Sequence, residues 1–102
     1  MALIIKATED KKITISGTVI ELPEVYGRIR FLGDFNGKSI EGEVMTFASG
    51  ETFAEGKQLY TDVPIGSYKS ELVEGEIQSL ETAHKYAKLA YEQMGYEVEI
   101  KL

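Results

Sequence analysis

The sequence predicts an α+β domain: a mainly antiparallel β-sheet or small β-sandwich of six or seven strands, with one long C-terminal helix followed by a final strand. Three observations carry that reading. The stretch 76–95 holds the only long run of helical periodicity. Most other segments alternate apolar and polar residues at the two-residue period of a half-buried strand. Between two such runs sits Asn36-Gly37, a strong hairpin signal because a type I′ turn needs positive φ twice.

The first segment, Ala2 to Ala7, is a short apolar run and reads as a strand, followed by a polar turn at Thr8-Glu9-Asp10-Lys11. From Lys12 to Leu22 the alternation runs through Ile13 and Ile15, then changes phase at Gly17 so that Thr18, Ile20 and Leu22 share the opposite parity. A phase change at a glycine within a strand predicts a bulge or bend. Pro23 ends the strand or bends it at an edge.

The region from Val25 to Phe47 is the most fully specified. A two-residue turn pairs Phe35 with Lys38, and the register follows outward from there. One side then carries Ile29 opposite Val44, Phe31 opposite Gly42 and Gly33 opposite Ile40, and is predicted core. The other side carries Arg30 opposite Glu43, Arg28 opposite Met45 and Tyr26 opposite Phe47, with Leu32 beside them. That second side is greasier than a solvated face needs to be.

Ala48 to Gly56 reads as a loop with one helical turn, capped by Ser49 and closed by Gly56. Leu59, Thr61 and Val63 alternate as a strand, Pro64-Ile65-Gly66-Ser67 as a turn, and Tyr68, Ser70 and Leu72 as a further strand. The helix over Ser79–Met94 places Leu80, Ala83, Ala87, Ala90, Tyr91 and Met94 on one face. Ser79 caps its start, Gly95 suits a left-handed stop, and Tyr96 folds back on Tyr91. Leu89 falls opposite the stripe. The last segment, Tyr96 to Leu102, alternates four apolar residues with three charges and is a strand with one face buried.

Length and composition narrow the function. A chain of 102 residues without an internal repeat or linker is a single domain, 1–102. With no cysteine, disulfides and cysteine-based zinc sites are excluded. A formal charge of −6 and only two arginines, Arg28 and Arg30, argue against nucleic acid, whose phosphates require clustered cations. No segment approaches the roughly 20 apolar residues of a membrane helix, and the start lacks a signal-peptide pattern, so a cytoplasmic protein is expected.

No catalytic apparatus is legible, and no catalytic, cofactor or metal residue is assigned. His84 is the only histidine, which rules out a histidine cluster within one chain; at the border of the helical stripe it reads as a locally hydrogen-bonded, partly buried side chain. The many glutamates occupy polar phases of strands and turns. Asp34-Phe35-Asn36-Gly37 with Glu41 lacks the third alternating ligand of a calcium loop, and Glu41 arrives too soon. The glycines form neither a phosphate loop nor a dinucleotide fingerprint.

The aromatics remain. Tyr26, Arg28, Leu32, Met45 and Phe47 on the second hairpin face have the composition of a protein interface. Either this chain's helix or another chain must cover them. Two stretches also resemble small phage or prophage structural proteins: Ile15-Ser16-Gly17-Thr18-Val19-Ile20-Glu21-Leu22-Pro23-Glu24-Val25-Tyr26, and Gln78-Ser79-Leu80-Glu81-Thr82-Ala83-His84-Lys85-Tyr86-Ala87 running on to the final strand. They contain no signature motif. The resemblance implies a β-rich virion, neck or tail-type subunit that works by assembling, and transfers no functional residue. The expected function is a non-enzymatic assembly module, as a homo-oligomer or with a protein partner. The alternative is a small-ligand or carbohydrate-binding module, because exposed tyrosines stack on planar ligands.

Overall fold

The computed structural model describes residues 1–33, 35, 37–63 and 67–102. Along the chain these form β1 (Ala2–Lys6), β2 (Ile13–Thr14), β3 (Glu21–Leu22), β4 (Glu24–Gly33), β5 (Ser39–Phe47), α1 (Gly50–Ala54), β6 (Ser67–Glu71), α2 (Leu80–Gln93) and β7 (Glu97–Lys101). Five strands make one antiparallel sheet in the order β6-β5-β4-β1-β7, and β2 with β3 makes a separate ribbon. This is the α+β fold expected from the sequence, with the long helix followed by a final strand.

The β4–β5 ladder has the register that a two-residue turn dictates. Tyr26 lies opposite Phe47, Arg28 opposite Met45, Ile29 opposite Val44, Arg30 opposite Glu43 and Gly33 opposite Ile40. Asn36 lies outside the described residues, while Gly37 has the positive φ of 69° that such a turn demands.

Strand alternation gives the sheet two unlike faces. Leu3, Ile5, Val25, Ile40, Val44 and Val98 point to the inner one and are buried there. Across them lies α2, burying Ala83, His84, Ala87 and Tyr91, while Leu80 and Met94 at the two ends of the predicted stripe remain partly open to solvent. Small residues permit the close approach. Ala83 and Ala87 on the helix are wholly buried against the sheet. The caps are those read from the sequence: Ser79 Oγ accepts from the Thr82 N–H at 3.1 Å. The Tyr96 N–H returns to the Tyr91 carbonyl at 3.2 Å, and the two rings meet edge-on at 6.1 Å.

Two local expectations changed. The phase shift at Gly17 is a full chain reversal between two strands rather than a bulge or bend within one. Gly17 has φ 77°, the Thr18 N–H and hydroxyl both donate to the Ile15 carbonyl, and the Ile15 N–H reaches Ile20 O at 3.0 Å. The two parities belong to two strands, β2 and β3. Residues 59–63 form no strand beyond a bridge between Ile15 and Thr61. Their donors are divided: the Leu59 N–H goes to Thr46 O and the Asp62 N–H to Thr14 O. A segment shared between β5 and the ribbon completes no ladder with either. The predicted turn residues Pro64, Ile65 and Gly66 lie outside the described residues.

Candidate functional site

The outer face of the sheet is set by the other parity of the same strands. From β4 come Tyr26, Arg28, Arg30 and Leu32; from β5 come Glu41, Glu43, Met45 and Phe47. The chain leaves β5 at Phe47 and turns at once into α1. Ser49 starts that helix with a reciprocal capping box, its hydroxyl accepting from the Thr52 N–H while the Thr52 hydroxyl accepts from the Ser49 N–H. With its first turn thus anchored, α1 lays Phe53 back over the sheet. Phe53 meets Phe47 edge-on at 5.1 Å and Tyr26 at 6.1 Å. The Arg28 guanidinium stacks on Phe53 at 4.3 Å and donates to the Tyr26 hydroxyl at 3.4 Å.

This lid splits the five residues singled out in the sequence. Tyr26, Arg28 and Phe47 gather beneath Phe53, and Phe47 is only 5% exposed. Leu32 and Met45 lie beyond its reach, 71% and 37% exposed, and Phe35 at the hairpin end is fully exposed. Cross-strand ion pairs frame this open half, Arg30 to Glu43 at 2.5 Å and Lys69 to Glu41 at 3.7 Å. An open-sided trough of about 410 Å³ runs among Arg30, Leu32, Glu41 and Glu43. The sequence reading did not use Phe53, although a single aromatic within a capped helical turn next to an aromatic strand end is a signal that the turn folds back.

No protein-family model, curated protein or solved structure matches this chain. Its chemistry therefore rests on its own titratable groups.

The most perturbed of them is Glu76, just ahead of α2. Its carboxylate accepts from Lys85 Nζ at 2.6 Å, from the Tyr86 hydroxyl and from the Val73 N–H at 2.8 Å. These donors, Lys85 foremost, lower its pKa to about 2. In return Glu76 raises the pKa of both Lys85 and Tyr86. Each group is driven toward the form it already holds at neutral pH, whereas a nucleophilic lysine or tyrosine needs the reverse shift. The cluster ties the approach loop to the helix.

His84 makes the local bond expected of it, its Nδ1 lying 2.7 Å from Leu80 O, but it is fully rather than partly buried. Burial lowers its pKa, and Nε2 has no hydrogen-bond partner among the described residues. Among the described residues no group of three or more His, Asp or Glu side chains is placed to hold a metal ion, and no helix is long and apolar enough to cross a membrane.

Proposed function

We propose that this chain is a non-enzymatic assembly module that binds a protein partner through the open half of its outer face. The observation that carries this reading is the pairing of exposed Leu32 and Met45 with a frame of charges that are already neutralised within the chain. An apolar centre with a polar rim is the composition of a protein contact. The chain's formal charge of −6 disfavours nucleic acid as that partner. A virion, neck or tail-type subunit is the setting that fits this role, on the strength of the resemblance at 15–26 and 78–87.

The test is a photo-crosslinking residue placed at Leu32, and separately at exposed Leu89 as a control, in extract of the native host. The expected outcome is an identified partner crosslinked from position 32 alone and lost in Leu32→Asp/Met45→Asp, with thermal melting unchanged. Equal crosslinking from both positions, or none from either, overturns the reading. Stabilisation by a sugar or metabolite at unchanged monomer mass would instead make the chain a ligand-binding module.

A further inference from the structure

The strand β7 is one of the two edges of the sheet. It pairs with β1 on one side, and its other side makes no backbone hydrogen bond among the described residues. An unpaired edge is a template for another strand, and proteins decide by side-chain charge which strands it accepts. In β7 the inner-face positions are Val98 and Ile100, and the outer-face positions are Glu97, Glu99 and Lys101.

When a second copy is added antiparallel about a two-fold axis normal to the sheet, each residue meets one of the same parity, and only a few registers exist. Centring on Val98 sets Glu97 against Glu99 twice. Centring on Glu99 pairs Glu97 with Lys101 but brings the two Glu99 carboxylates together. Centring on Lys101 opposes two ammonium groups. Centring on Ile100 sets Glu99 against Lys101 twice with no like-charge side chains opposed within β7, Ile100 against Ile100 on the helix side, and Val98 against Leu102. We infer that a second copy of this chain pairs with β7 in this last register, joining the two sheets into one.

Two features of the isolated chain fit that partner. Leu102 is 94% exposed and continues the inner parity of Val98 and Ile100, so the register buries it across from Val98. Lys101 has no carboxylate within ion-pairing distance among the described residues, while the Glu99 side chain stays 64% exposed even with Lys6 at 3.2 Å. The opposite edge, β6, offers a similar exchange between Lys69 and Glu71, but its centre would set Ser70 against Ser70 in place of Ile100 against Ile100. One short strand pair buries less than the roughly 1,200 Å² of a standard interface, so the dimer is weak, dissociating in the micromolar range or above. The inference is separate from the outer-face reading, since β7 lies at the far side of the sheet from the Leu32 trough.

The experiment is sedimentation velocity from dilute solution up to about 1 mM, on wild type, Glu99→Lys and Lys101→Glu, each checked by thermal melting. Wild type is expected to dimerise, and each single reversal to weaken the dimer about tenfold or more by opposing like charges. An equimolar mixture of the two variants is expected to restore it. In the mixed dimer both contacts between positions 99 and 101 set an ammonium group of one variant against a carboxylate of the other. A wild type monomeric throughout overturns the inference. So does a dimer indifferent to both reversals, which places the contact elsewhere, or a mixture that stays monomeric while wild type dimerises. Leu32→Asp/Met45→Asp should leave this dimer intact, so loss of one surface is not read as loss of the other.

Discussion

The two faces of the β4–β5 hairpin are built from adjacent residues of the same strands and meet different fates. The inner face is covered by α2, whose fourteen residues bring Ala83, Ala87 and Tyr91 against Leu3, Val25, Val44 and Val98. The outer face is covered only where the five-residue α1 reaches, so Phe47 is buried and Leu32 is not. Apolar character alone therefore does not say what covers a sheet face. The length and position of the covering element do. The long helix seals most of its face, leaving Ile29 and Phe31 partly buried toward the hairpin end, while a single capped turn seals one end of the other.

The strongest consequence is that the faces differ energetically. Leu3→Ala on the inner face should cost about 2–5 kcal/mol, by lost burial and the cavity left behind, whereas exposed Leu32→Ala should stay within about 0.5 kcal/mol. Denaturant unfolding reads both. Equal costs would mean that the outer face is as much a core as the inner one.

The boundary itself is broken at Phe53. Phe53→Ala removes the ring that covers Phe47 and supports Arg28, and should cost about 1–2 kcal/mol. It should also increase binding of a dye that reports exposed apolar surface, because Phe47 becomes accessible. Unchanged stability and dye binding would show that α1 is not the lid the contacts describe.

The smallest effects are slopes with pH. Burial lowers the His84 pKa from 6.5, so as pH falls below that value the unfolded chain takes up the proton first and stability declines. The melting temperature should therefore drop between about pH 7 and 5.5, and His84→Gln should flatten that interval. Glu76, lowered from 4.5 to about 2, contributes stability above 4.5 that is lost as pH falls toward 2, and Glu76→Gln should remove that lower step. A wild type with flat melting between pH 7 and 5.5 would show that the histidine is not held neutral in the fold.

Much of this molecule was legible because its determinants are local. Asn36-Gly37 set the hairpin register through counting alone, Ser79 and Gly95 bracketed α2, and the alternation of residues 97–101 announced β7. Each depends on backbone geometry within a few residues. Other outcomes depended on partners distant in sequence. Residues 59–63 alternate like a strand, yet their hydrogen bonds are divided between Thr46 and Thr14, which no periodicity records. Glu76 carried no motif, and its pKa follows from a helix that brings Lys85 and Tyr86 back to it. The outer-face group Tyr26, Arg28, Leu32, Met45 and Phe47 was visible as a stripe, because strand parity is a local property. That Phe53 divides it was decided by the tertiary structure, because the angle at which α1 leaves β5 determines how far one aromatic ring can reach.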